Sequence, residues 1–335
     1  MNMIQWLETI QSQPVKKPLP ILSFPGIQHM DGVTVRDLVQ SSDLQVACMK
    51  DVAAHTNAAA SVSFMDLSLE AEAFGAEVVM FDEDVPAVTG ALVSSEEEAE
   101  ALAVPDIHTP RIDCAIAAIE QAVKEIQDRP IFAGVIGPFS MVGRLVDVSE
   151  AMIYCYEEPD MMHILLEKAV QFSIRYIQEF KKAGAHGVMM AEPLAGLISP
   201  DHEAEFSTPY VKKIVEAVQD DDFLVIYHNC GNYAYLMTDS IASNGCKAFH
   251  FGNIVNMEDM LQKMPSDVLV MGNIDPASQF KNGTPESMAA AVEEMMTACS
   301  KYPNFVPSSG CDLPPSCPWE NIDSFFRSVE QFYQK

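Results

Sequence analysis

The sequence predicts an α/β fold, a (β/α)8 barrel, and three observations carry that expectation. Eight short β-rich runs, each bounded by Gly, Pro, Asn or Asp, recur along the 335 residues. Stretches with helical spacing separate them, which is the alternation of parallel β/α units. No G-x-G-x-x-G follows the first run, which argues against a doubly wound dinucleotide-binding sheet.

Residues 1–18 read as an N-terminal lead-in, and the runs then follow in order. They are P-I-L-S-F near Ile21, A-S-V-S-F near Val62, I-F-A-G-V-I-G at 131–137 and G-V-M-M-A-E at 187–192. F-L-V-I-Y-H at 223–228, A-F-H-F-G at 248–252, V-L-V-M-G-N-I at 268–274 and N-F-V-P-S-S-G at 304–310 complete the set. Between them, Ile112, Ile116, Ile119, Val123 and Ile126 fall on one face of a helix over 111–128, and 159–182 has the same spacing. Thr284-Pro285-Glu286 supplies an N-cap, a first-turn proline and an early acid, a helix start. A last helix is expected to start near Pro318. The segment from Asp66 to Pro110 does not fit the repeat and is expected to be an insertion after the second strand, with E-V-V-M-F near Val79 as an extra strand and S-S-E-E-E-A-E as a helix start. The whole chain, 1–335, is expected to form one domain.

Composition narrows the function. With 20 basic against 48 acidic residues the net charge is −28, so nucleic acid and anionic membrane surfaces are repelled rather than bound. No run approaches the ~18 apolar residues of a membrane span, and M-N-M-I-Q-W-L-E-T-I lacks the layout of a signal peptide. Eight cysteines without a regular framework fit reduced thiols, and the cytoplasm is the expected location.

In such barrels chemistry sits at the C-terminal ends of the strands. The second run ends at Asp66, the third at Pro138-Phe139, the fourth at Glu192-Pro193, the fifth at His228-Asn229-Cys230, the sixth at Asn253 and the seventh at Asp275. The eighth ends in S-S-G-C-D-L-P-P, which brings Cys311 to the same rim although 80 residues lie between it and Cys230. His228, Cys230 and Cys311 make a three-ligand zinc set, and three protein ligands with an exchangeable fourth position mark a catalytic site. H-x-C alone also arises by chance, and Cys317 is a rival fourth ligand that would make the site structural. Tyr227 and His250 read as core or barrel-lining residues.

H-N-C-G-N at 228–232 with S-G-C-D-L-P at 309–314 resembles the H-x-C...C zinc motif of the methylcobamide:thiol methyltransferases, typified by the coenzyme M methyltransferases of the uroporphyrinogen decarboxylase superfamily. F-M-D-L-S-L-E-A-E-A-F-G-A-E at 64–77, G-P-F-S-M-V-G-R-L at 137–145, A-E-P-L-A-G at 191–196 and M-G-N-I-D-P at 271–276 are similar to that family too. The resemblance implies a (β/α)8 barrel, zinc on His228, Cys230 and Cys311, and transfer of a methyl group from a methylated corrinoid, carried on a separate protein, to a thiol. A free thiol of pKa ~8.5 is only about 3 % thiolate at pH 7, and coordination deprotonates it outright. The gain, about thirtyfold, is partly offset by the lower nucleophilicity of a less basic sulfur.

Glu192, or water, is expected at the fourth metal position, with Asp275 and Asn253 as partners of His228 or substrate unless they cap the helices that follow. Arg144 is expected to meet the anionic end of the thiol, and the rim loops around Phe139 and Leu194 to contact the corrinoid. A decarboxylase of the same superfamily would need clustered arginines for a polycarboxylate. This chain has six arginines in all, with no basic residue between the first run and Arg36.

Overall fold

The computed structural model describes residues 1–335. The nine strands are β1 Ser61–Val62, β2 Glu77–Val79, β3 Ala87–Thr89, β4 Ile131–Ile136, β5 Gly187–Ala191, β6 Leu224–Asn229, β7 Ala248–Phe251, β8 Leu269–Ile274 and β9 Phe305–Ser309. Seven of them form one curled parallel sheet in the order β1-β4-β5-β6-β7-β8-β9, with helices in the crossovers. β2 and β3 pair only with each other, antiparallel, with Val78 opposite Val88. No helix is long and apolar enough to cross a membrane.

The first run is not a strand, which corrects the expectation of eight. Pro18 and Pro20 have no N–H to give to a ladder. The segment nevertheless lies between the first and last strands of the sheet. Leu19 N donates to Pro307 O of β9 at 2.9 Å, and Ala59 N, just before β1, donates to Pro18 O at 2.8 Å. Side chains replace the missing ladder bonds: Ile21 N donates to Ser309 Oγ at 3.1 Å, and Ser23 Oγ donates to Val62 O.

Alternation along the strands decides what faces inward. Leu224 and Ile226 of β6, Ala248 of β7, Leu269 and Met271 of β8 and Val306 of β9 join Phe132 and Met189 in an inner apolar cluster. Their neighbours Val225, Tyr227, Phe249 and Val270 point outward into the larger core shared with the helices. Each buried aliphatic residue contributes about 1.5–3 kcal/mol, and a one-residue slip of β6 would turn Leu224 and Ile226 outward and force Val225 and Tyr227 into the inner cluster. His228 shares the parity of Leu224 and Ile226, so the packing that buries those two also turns its imidazole inward. Helix Met3–Ser12 lays Met3, Leu7 and Ile10 against the inner cluster, and Met3 N donates to Asp221 O ahead of β6.

The expected helices form where the spacing puts them. Pro110–Glu125 buries Ile112 and Ile119, Pro159–Lys182 spans 24 residues, and Pro285–Cys299 begins from a capping box between Thr284 and Ser287. Between Asp66 and Pro110 lie two short helices, Leu69–Phe74 and Glu96–Ala101, around the β2–β3 hairpin.

Glu70, fully buried, ties the first of these helices to the sheet: one carboxyl oxygen accepts from Ile136 N at 3.0 Å and the other has no partner. Burial pushes its pKa up to about 8. A carboxyl that holds its proton more tightly when folded stabilises the fold at low pH, and that contribution is lost as pH rises toward 8. Glu70→Gln should therefore gain stability relative to the parent chain by on the order of 2 kcal/mol between pH 5 and 8. Denaturant unfolding at the two pH values checks this, and a parallel response of both proteins would contradict it.

Candidate metal centre

Parity and strand ends bring three soft donors together. Cys230 follows β6, Cys311 follows β9, and one ligand atom from each of His228, Cys230 and Cys311 lies within 4.8 Å of the other two. Donors about 2.3 Å (sulfur) and about 2.0–2.1 Å (nitrogen) from a tetrahedral zinc stand about 3.8 Å apart for S to S and about 3.6 Å for N to S. Here Cys311 Sγ is 3.9 Å from Cys230 Sγ and 3.5 Å from His228 Nε2. The residues fit the ion without rearrangement. Gly252 permits this approach, since a Cβ there would sit 2.6 Å from Cys230 Cα.

Which nitrogen of His228 faces the sulfurs follows from a chain of hydrogen bonds. Ser308 Oγ donates to Leu19 O at 2.7 Å, so in its 2.8 Å contact with His250 Nε2 it accepts. Burial, with the neighbouring His228 second, holds the His250 pKa well below the usual value, so the ring is neutral and its Nδ1 carries the lone pair. His228 Nδ1 lies 2.8 Å away and must be the donor. Its Nε2 is then unprotonated, with its lone pair toward Cys311 and the metal position, the tautomer a ligand needs.

The two thiols share a proton. Cys311 donates to the Cys230 sulfur, which holds the Cys230 pKa below its ordinary value and pushes Cys311 up to about 12.

The site opens into a mostly apolar cavity of about 190 Å³ whose walls include Ile21, Phe24, Met65, Leu67, Val85 and Leu313. Asp312 also lines it; burial raises its pKa well above the carboxylate range, and its Oδ1 has no hydrogen-bond partner. No arginine or lysine borders the cavity.

Residues 7–332 match the family model described as uroporphyrinogen decarboxylase. The chain belongs to the uroporphyrinogen decarboxylase family. A uroporphyrinogen decarboxylase of Christiangramia forsetii is 24 % identical over 280 residues, covering 82 % of this chain and 80 % of its own. A methylcobamide:CoM methyltransferase of Methanosarcina acetivorans is 26 % identical over 274 residues, covering 80 % of this chain and 78 % of its own. The solved structure of a methyltransferase from Methanosarcina mazei superposes with a TM-score of 0.87 over 99 % of both chains at 22 % identity, which shows the fold. The motif resemblance to methylcobamide:thiol methyltransferases is thus met within the family.

The other residues singled out from sequence lie at the same end of the barrel and mostly serve other ends. Glu192, expected as a fourth ligand, is not among the clustered donors. Its oxygens accept from Phe139 N at 3.0 Å and Ser140 N at 2.6 Å, which caps helix Pro138–Val146, and burial raises its pKa to about 7. Gly137 makes room for it, because a Cβ there would sit 2.4 Å from Oε2. Asp275 accepts from Ala277 N and Ser278 N and caps the turn Pro276–Lys281; with the exposed Asn253 it borders a different cavity. Neither touches His228. Phe139 is fully buried and Leu194 is 6 % exposed, packed over Gly143. Cys317 is buried and outside the donor cluster.

Arg144 does face a cavity, one that shares Leu67, Asp84 and Val85 with the metal cavity. Burial alone lowers its pKa, with no carboxylate offsetting it. His250, read from the sequence as a core or barrel-lining residue, has a part in the site that this reading did not give it, and Asp312 escaped notice. His250 was legible by parity, since it follows Ala248 at a spacing of two on β7; Asp312, in a loop, carried no such signal.

His250→Ala is expected to weaken zinc binding by about 10–100-fold, and His250→Gln, whose amide oxygen still accepts from His228, by less. Competition with a chromophoric chelator measures both. Equal affinity in the parent and His250→Ala would contradict the tautomer assignment.

Proposed function

We propose that this chain is a zinc-dependent corrinoid methyltransferase, one domain across 1–335, which takes a methyl group from a methylated corrinoid on a separate protein and gives it to a thiol such as coenzyme M. The observation that carries this is the clustering of His228, Cys230 and Cys311, whose separations from Cys311 suit a tetrahedral ion at the wall of an apolar cavity. Zinc held there supplies the positive charge that converts a substrate thiol into a thiolate. Two protein thiolates and a neutral imidazole cancel the charge of the ion, so the substrate sulfur stays electron-rich; that suits a nucleophile better than hydrolysis.

The methyl group leaves cobalt without the bonding electrons. The Co–C bond breaks, the S–C bond forms, cobalt keeps the pair and the thiol proton is released. Apolar walls at Ile21, Phe24 and Leu313 keep water from the carbon being transferred. Exposed Tyr233, Leu236 and Ile254, on the loops after β6 and β7, support a corrinoid protein approaching that rim. Arg144, unpaired in the adjoining cavity, supports a thiol with an anionic tail. Eight free cysteines support a reducing, cytoplasmic setting. Decarboxylation has less support, because no arginine or lysine lines the cavity.

Zinc-loaded protein given methylcobalamin is expected to demethylate it with one or more of a panel of thiols, read by the colour change of the corrinoid, and Cys311→Ala to slow this by at least about 100-fold. No turnover with any thiol, zinc being present, would refute the proposal. Arg144→Met should raise KM about tenfold for thiols bearing a sulfonate or carboxylate, about 1.4 kcal/mol, and leave neutral thiols unaffected. Equal effects on both classes would remove Arg144 from the substrate site.

A further inference from the structure

Three chain segments that are remote in sequence meet on the outside of the barrel at His29, Asp51, His55 and Trp319. His29 ends the 3-10 turn Phe24–His29, Asp51 and His55 share one face of the last turns of helix Ser42–His55, and Trp319 opens helix Trp319–Phe332. His29 Nδ1 lies 2.6 Å from Asp51 Oδ2, and one donor atom from each of His29, Asp51 and His55 lies within 4.8 Å of the other two. The imidazole centroids are 4.9 Å apart.

We propose that His29, Asp51 and His55 bind a second divalent transition-metal ion, zinc by its donor chemistry, independently of the cysteine site. Two imidazoles and one carboxylate, with water in the remaining positions, suit first-row divalent ions. His55 Nδ1 lies 3.4 Å from Asp51 Oδ1, so the ring turns about that carboxylate to offer its other nitrogen. Its Nδ1 donates to Asp51 O at 2.8 Å, which places the proton on that nitrogen and leaves Nε2 bare. The contact between His29 and Asp51 needs to open only to the about 3.3 Å that separates N and O donors on a tetrahedral ion, and the ion replaces the proton they share.

Trp319 stacks on His29 with centroids 4.8 Å apart at 23° and lies 5.6 Å from His55, so an indole walls one side of the site. Its Nε1 is held by Pro25 O at 3.0 Å. The side chains of His29, Asp51 and His55 keep 35 %, 24 % and 52 % of their exposure, so an ion has access from solvent. A net charge of −28 draws cations to the surface. Bound metal would pin the turn that carries Phe24, a wall of the catalytic cavity, to helix Ser42–His55.

Trp319 is the reporter. The chain has two tryptophans, and Trp6 packs on Phe132, so Trp6→Phe leaves Trp319 alone. Nickel titrated into Trp6→Phe protein that has been loaded with zinc and then dialysed against a weak chelator, so that only the cysteine site keeps its metal, should quench its fluorescence saturably at one equivalent, and excess zinc should reverse the effect. His55→Ala and the isosteric Asp51→Asn, each in that background, should weaken the midpoint at least tenfold. The zinc content retained after dialysis against a weak chelator, which reports the cysteine site, should not change. Absence of saturable quenching, or a midpoint unmoved in both variants, would overturn the proposal. Retained zinc reports the cysteine site separately, so failure of one site does not imply failure of the other.

Discussion

The hydrogen-bond chain from Leu19 O through Ser308 and His250 to His228 is the constraint on which the site depends. It starts on the segment that lies between the first and last strands, crosses β9 and β7, and ends on His228 Nδ1, across the ring from the nitrogen that faces Cys311. The same contacts that complete the wall of the barrel therefore select the tautomer of a ligand. Every member is buried, and each donor finds one acceptor in a low-dielectric interior, where an unsatisfied partner would cost about 1–3 kcal/mol. A neutral ring at His250 belongs to this arrangement, because a charged imidazolium there would present a second donor to His228 Nδ1 and break the sequence of donors.

Above that chain, the two thiols and His228 hold little strain and much polarity in an otherwise apolar mouth. The apolar walls suit a methyl carbon in transit, and the negative balance of the chain is kept out of the cavity apart from Asp312 and Asp84. Family membership alone would leave the chemistry open, since relatives of similar identity bear both decarboxylase and methyltransferase names. The donor set tips the balance: a porphyrinogen with several carboxylates needs cations around it, and here the nearest cavity-facing arginine, Arg144, stands alone in the adjoining space.

What the sequence disclosed and what it hid have physical reasons. H-x-C at the end of an apolar run and a cysteine after the last run sufficed for the triad, because strand ends in a parallel barrel converge whatever lies between them. The first run misled because its apolar character is that of a strand while Pro18 and Pro20 deny it the hydrogen bonds of one. Glu192 and Asp275 left two readings open for a related reason: the rim that collects catalytic groups is also where helices and turns begin, and backbone N–H groups there compete for carboxylates. Asp275 caps the turn after β8, and Glu192 caps the helix that follows the neighbouring strand β4. Only the second case needed coordinates, since its partner lies 52 residues away in sequence.

The central claim is that three protein donors hold zinc and leave one position for the sulfur of the substrate. X-ray absorption at the zinc edge of the purified, zinc-loaded protein, recorded before and after addition of the thiol it methylates, tests this most directly. The account predicts two sulfur neighbours and one imidazole nitrogen with a light-atom fourth ligand, changing to three sulfurs when the thiol binds. A first shell already filled by four protein sulfur and nitrogen atoms, or one unchanged by the thiol, would contradict it.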